Sequence, residues 1–141
     1  MKLKMTQEER MLLIKDLSAR LPYAVTVEHT SGFRGTLHDI TVHHMYDEND
    51  NVYDAICYTD FFGDEDDIYI EYFKPYLFPM SSMTEEQKEE LMELMYKADT
   101  PFGAIFSENI DYFDWLNKHH FDYRGLIEKS LALNAAGLNI Y

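Results

Sequence analysis

Apolar residues change their spacing at Pro22, and that change narrows the folds open to the chain. Before it, Met11, Leu13, Ile14, Leu17 and Leu21 recur mostly at three- and four-residue steps, which lines one face of a helix. Thr6 followed by Glu9 has capping-box spacing, in which the hydroxyl takes a free amide and the carboxylate reaches back. Pro22 ends the pattern because it brings no amide to a helix interior. From residue 23 to residue 73 the step is two: Val25 and Val27 alternate with Thr26 and Glu28, and later segments repeat the alternation. A helix feeding half-buried strands, with turns every roughly eight to twelve residues, predicts an α+β fold. The expected sheet is an antiparallel four- to five-stranded meander, curled or partly closed into a small barrel.

Gly32 and Gly35 punctuate the first turn of that meander. Residues 36–46 are rich in β-branched and aromatic side chains, with Ile40, Val42 and His44 on one face. Leu37 falls on the other face unless a bulge intervenes near Asp39. Asp47-Glu48-Asn49-Asp50-Asn51 is turn chemistry, residues 52–59 form the next strand, and residues 60–66 turn again around Gly63. Ile68, Ile70 and Tyr72 line a fourth strand. Pro75 and Pro79 predict an extended linker over 74–83. Thr84 with Gln87 repeats the capping signature, and Leu91, Leu94, Met95 and Ala98 mark a helix ending before Pro101. Residues 102–106 read as a short late strand. Ser107 or Asn109 caps a third helix carrying Ile110, Phe113, Leu116 and His120. Asp122 caps a fourth, with Leu126, Ile127 and Leu131 on its face, although Gly125 weakens its first turn. Residues beyond Ala135 are expected to fray. The layout is a single domain, 1–141, with an acidic β-meander at 23–73 framed by helices at 6–21 and 84–131, two to three of them C-terminal. A chain of 141 residues is long enough to bury one core.

Charge is segregated along this layout. The chain carries 26 acidic and 12 basic side chains, a net charge of −14. Residues 1–34 have a local charge of +2, whereas residues 35–73 hold eleven acids and no Lys or Arg. The imbalance therefore describes one stretch and not the whole chain. No apolar run is long enough to span a bilayer, and Met1-Lys2-Leu3-Lys4 leads into Gln7, Glu8 and Glu9 instead of an apolar segment. A cytoplasmic location without membrane contact is expected. The single Cys57 excludes a disulfide within the chain, and its place among Ala55, Ile56 and Tyr58 near acidic neighbours reads as a small buried hydrophobe.

Six histidines raise a metal hypothesis. His43-His44 lies in a strand and His119-His120 closes the third helix, so the one arrangement worth testing takes one His from each pair with Asp122. The i, i+4 helical pair of a zinc protease is absent. Asp47-x-Asn49-x-Asn51 copies the opening of a calcium loop but has Val52 where the glycine belongs and Tyr58 where the bidentate glutamate belongs. Glycine-rich phosphate loops, nucleophile elbows and paired-cysteine motifs are missing. No catalytic residue, cofactor or firm metal site is assigned, with His43, His44 and Asp122 kept as weak candidates.

A helix followed by a strand meander, with Val25, Val27, Gly32, Gly35, Leu37 and Asp39, resembles the first motif of Sm-like small barrels. Phosphate contact needs Lys and Arg, which residues 35–73 lack, so direct nucleic-acid binding is not expected. A second resemblance rests on three stretches. They are Leu17-Ser18-Ala19-Arg20-Leu21-Pro22-Tyr23, then Lys74-Pro75-Tyr76-Leu77-Phe78-Pro79-Met80-Ser81-Ser82-Met83-Thr84-Glu85-Glu86, and Asp114-Trp115-Leu116-Asn117-Lys118-His119-His120-Phe121-Asp122-Tyr123-Arg124-Gly125-Leu126-Ile127-Glu128-Lys129. Together they resemble a family of small proteins from gut Bacteroides and their phages. Ala132-Leu133-Asn134-Ala135-Ala136-Gly137 departs from that family's Gly/Ala-Leu-Glu-Ala-Pro-like ending. The resemblance implies a prokaryotic or phage cytoplasmic setting and brings no catalytic residue with it. Within those stretches Trp115 and Phe121 read as core anchors, and Tyr123 and Arg124 as braces for the last helix.

The expected function is a non-catalytic protein-interaction module whose acidic β-surface meets a basic protein partner through Asp60, Asp64, Glu65, Asp66 and Asp67. A small metal-dependent hydrolase using His43 or His44 with Asp122 is the enzymatic alternative. A DNA-mimic inhibitor, whose carboxylates imitate phosphates, is another. An edge strand of the meander would favour a homo-oligomer.

Overall fold

A computed structural model describes residues 5–46, 51–59, 68–98 and 106–141. Helix α1 (Gln7–Arg20) opens on its capping box: the Glu9 amide donates to Thr6 Oγ1 at 3.1 Å, and the Thr6 amide donates to the Glu9 carboxylate at 3.0 Å. Pro22 then forces a single 3-10 turn at Leu21–Tyr23, and Ala24 in the left-handed region (φ 54°) redirects the chain into β1 (Thr26–His29). Strands β2 (Arg34–Tyr46) and β3 (Asn51–Thr59) form a long antiparallel hairpin. Its register slips between Leu37 and Asp39, the bulge expected near Asp39, and Leu37 turns into the core beside Val25 and Val27.

The next strand departs from the sequence expectation. Tyr69 makes only a bridge to Ile56, residues Ile70–Tyr72 form a 3-10 turn, and β4 (Phe73–Pro79) occupies most of the segment expected to be a linker. Pro75 is tolerated because of its register. The β1–β4 ladder bonds at Thr30 and Tyr72, and antiparallel bonding alternates, so the Val27–Pro75 pair is one that exchanges no bonds. A proline at that position costs β1 nothing. Helices α2 (Glu85–Ala98) and α3 (Phe106–Lys118) follow, α2 capped by Thr84 and Gln87 as expected. Of the expected late strand at 102–106, residues 102–105 lie outside the described residues and Phe106 already belongs to α3.

Short strands β5 (Phe121–Asp122) and β6 (Leu133–Asn134) both pair with β4 in parallel. The sheet has six strands in the order β3-β2-β1-β4-β5, with β6 also on β4, and is mostly antiparallel. It therefore exceeds the four- to five-stranded meander and extends past residue 73. The expected fourth helix is absent. The Asp122 carboxylate does accept the Leu126 and Ile127 amides, each at 2.9 Å, in the manner of a cap. The coil does not propagate, because Gly125 (φ 73°) and Ser130 (φ 60°) take left-handed backbone. Two helices, α2 and α3, follow β4 among the described residues, within the expected two to three.

Two apolar clusters hold these elements. Leu13, Ile14 and Leu17 of α1 pack on Val25, Val27, Leu37, Cys57, Phe73 and Leu77 of the sheet, with Leu126, Leu131 and Ala132 closing the edge. Met83, Leu91, Leu116 and Phe121 form the second cluster, where Trp115 stacks on Phe121 (5.7 Å, 4°) and donates Nε1–H to Glu90 at 3.0 Å. No helix among the described residues is long and apolar enough to cross a membrane.

Residues beyond Ala135 pack back on the sheet instead of running free. The Ala135 amide donates to Leu77 O at 2.8 Å, and the chain returns to place the Tyr141 hydroxyl between β1 and β4. Thr26 and Tyr76 stand next in the β1–β4 register and would ordinarily bond directly. Instead the Thr26 amide donates to Tyr141 Oη at 3.0 Å, and Oη donates to Tyr76 O at 2.7 Å. One hydroxyl replaces one ladder bond. Tyr141→Phe is accordingly expected to lower stability by about 1–2 kcal/mol, since both backbone groups lose their partner. Urea denaturation measures it, and an unchanged midpoint would show that the strands close up on each other.

Candidate functional site

The acidic residues singled out from the sequence, Asp60, Asp64, Glu65, Asp66 and Asp67, lie outside the described residues. The described residues on either side of them are joined to each other. Strand β3 ends at Thr59, and the Cys57 amide donates to Ile68 O at 2.8 Å while Ile56 bridges Tyr69. Side chains alternate along β3, so Ala55 and Cys57 enter the core while Ile56 and Tyr58 face outward. Directly opposed residues share a face, which puts Asp39 and Thr41 of β2 and Tyr69 on that outward side. Tyr58 is 45% exposed and Tyr69 39%. Two open tyrosines thus mark the two ends of the acidic span. Sequence patterning placed Tyr58 in a strand but did not separate it from the core, and Tyr69 carried no signal of its own.

The metal candidates are not assembled. His43 and His44 occupy β2 opposite Asp54 and Tyr53, whereas Asp122 is on β5 with β1 and β4 between in the sheet order. Both oxygens of Asp122 are engaged by the Leu126 and Ile127 amides. Among the described residues no group of three His, Cys, Asp or Glu side chains converges on a point that could hold an ion. His119 packs on Trp115 (4.4 Å), and burial holds its pKa below the ordinary value.

A buried polar network joins α1 to the end of α3, and sequence reasoning did not find it. Asp16 and Arg20 stand one turn apart and are completely buried. Arg20 Nε donates to Asp16 Oδ2 at 2.8 Å, and Nη2 donates to Asp16 Oδ1 at 3.1 Å and to Phe121 O at 2.6 Å. Arg124 Nε lies 3.4 Å from Asp16 Oδ1, so one carboxylate faces two guanidinium groups. Tyr123 is sandwiched near both cations (5.3 and 5.0 Å) and donates its hydroxyl to Asn117 Oδ1 at 2.9 Å. His120 ends α3 by taking left-handed backbone (φ 61°), which turns its ring onto Tyr141 at 3.7 Å. The i, i+4 spacing of Asp16 and Arg20 was a signal for the pair, but such spacing is more common on solvated faces. A second ion pair, Arg10 with buried Glu71 at 3.4 Å, ties α1 to the turn before β4.

Beside this network an open groove of about 650 Å³ runs between the end of β4, α3 and the turn after β5. Met80, Phe113, Leu116, Tyr123 and Ile127 give it an apolar wall, and Asp122 and Glu128 add two carboxyl groups. Comparison with protein-family models, with characterised proteins and with solved structures returns no match.

Proposed function

We propose that the protein is a non-catalytic interaction module, which uses the outward face of β2 and β3 and the adjoining acidic span to hold a basic protein partner in the cytoplasm. The observation that carries the reading is the pair of exposed tyrosines, Tyr58 and Tyr69, at the two ends of residues 60–67. Tyrosine is enriched at interface centres because it offers a large rigid surface with a polar end, and it dominates binding energy there. Carboxylates at the rim steer a cationic partner and raise the association rate more than they lower the dissociation rate. The sequence between 35 and 73 holds eleven carboxylates and no Lys or Arg, and one of the eleven, Glu71, is buried and paired with Arg10.

The two contributions separate experimentally. Affinity capture from the native host at low and high salt identifies the partner. Replacing Asp64, Glu65, Asp66 and Asp67 together by their amides is then expected to slow association at least tenfold and to flatten its salt dependence. Tyr58→Ala is expected to accelerate dissociation without altering the salt slope. Capture that ignores both changes would overturn the proposal.

A further inference from the structure

The contact made by Tyr141 has the form of a ligand in a site. Where the β1–β4 ladder parts, the Thr26 amide offers one donor and the Tyr76 carbonyl one acceptor, and a phenol hydroxyl satisfies both at 3.0 and 2.7 Å. The ring lies flat on His120, with centroids 3.7 Å apart and planes within 9°, and Phe78 closes another side at 5.8 Å. Burial pushes the Tyr141 hydroxyl up to about 12, so it remains protonated and able to donate throughout the physiological range. The connection holding this ring is slight by comparison. Residues 136–139 are exposed, Gly137 and Asn139 take left-handed backbone, and the bonds of the Ala136 amide to Asn134 Oδ1 and of the Leu138 amide to Ala135 O are local to the turn. Recognition is thus concentrated at the ring and hydroxyl, while the connecting residues add little.

We infer that the cleft between β1 and β4 is a binding site for a tyrosyl phenol, filled within the chain by Tyr141 and open to a tyrosine-bearing segment of a partner when residues 136–141 lift. Although Tyr141 is 44% exposed, a site built around a hydroxyl discriminates against a ring without one, because the Thr26 amide and the Tyr76 carbonyl then lose their partner. The built-in tyrosine sets a threshold that an incoming segment must exceed, which makes the contact autoinhibitory. The acidic span plays no part in this site, so neither conclusion depends on the other.

The probe is p-cresol, the tyrosine side chain without its backbone, with toluene as its hydroxyl-free counterpart. The Tyr141→Ala chain is expected to bind p-cresol saturably, one to one, with a shift of the Thr26 amide resonance, and at least tenfold more tightly than toluene. Wild type and Tyr141→Phe, whose rings fill the slot, are expected to bind p-cresol at least tenfold more weakly than Tyr141→Ala. If Tyr141→Ala is unfolded alone, p-cresol and not toluene is expected to restore its helical circular dichroism. In wild type, lifting of the segment should make the Thr26 amide exchange with deuterium at least tenfold faster than the Leu37 amide, which bonds Val25 O within the β1–β2 ladder. Equal affinity for p-cresol and toluene, absence of binding or rescue, or equal exchange at Thr26 and Leu37 would each overturn the inference.

Discussion

Arg20→Ala is expected to cost about 3–5 kcal/mol, a large part of the stability available to a domain of this size. The guanidinium is completely buried and makes two bonds to Asp16 and one to Phe121 O, so it joins α1 to β5 as well as neutralising a carboxylate. Its removal leaves Asp16 in the interior with Arg124 at 3.4 Å as the nearest remaining cation. The penalty comes mainly from that stranded charge, not from the lost attraction, because burying two ions already consumed most of their mutual energy. Two further variants separate these contributions. Arg20→Lys keeps the charge but lacks the planar fork, and should fail to recover the stability. The double change Asp16→Leu with Arg20→Met removes both charges and should lose much less than Arg20→Ala. Urea denaturation of the three variants provides the measurement, and a double variant as unstable as the single one would locate the cost in packing.

What the sequence disclosed and what it hid follow from the range of each interaction. The capping boxes at Thr6 and Thr84 and the slip near Asp39 involve residues a few positions apart, and each is where spacing placed it. Cys57, read as a small buried hydrophobe, is in the core. Strand β4 was missed because Pro75 was judged by its missing amide alone. Whether that amide matters depends on the register with β1, which pairs residues nearly fifty positions away. The tie from Arg20 to Phe121 spans 101 positions and that from Thr26 to Tyr141 spans 115, beyond any periodicity. Most of the buried network nonetheless lies inside the distinctive segments, with Asp16 just ahead of the first. Arg20 belongs to the first, and Asn117, His120, Tyr123 and Arg124 to the last. Those segments are polar-rich because they meet each other in the interior, where most polar groups find partners, although Arg20 Nη1 and His120 Nδ1 make no hydrogen bond.

His120 gives the second large effect, through acidification. Burial, reinforced by the Arg20 guanidinium and then by His119, lowers its pKa from 6.5 to about 4. Above pH 6.5 the imidazole is neutral in both the folded and the unfolded chain and contributes no pH dependence. As the pH falls below 6.5 the unfolded chain takes up the proton first, so folding is opposed by about 1.4 kcal/mol per pH unit until the folded imidazole also titrates near pH 4. The accumulated loss is on the order of 3 kcal/mol. His120→Asn tests it, since asparagine accepts the left-handed backbone at this position and does not titrate. The variant loses the stack on Tyr141 and should be less stable than wild type at pH 7. Its stability should then fall more gently between pH 6.5 and 4, and the two curves should converge as acid is added. Parallel curves would show that His120 is protonated in the folded chain, and that the proton reaches it beside Arg20.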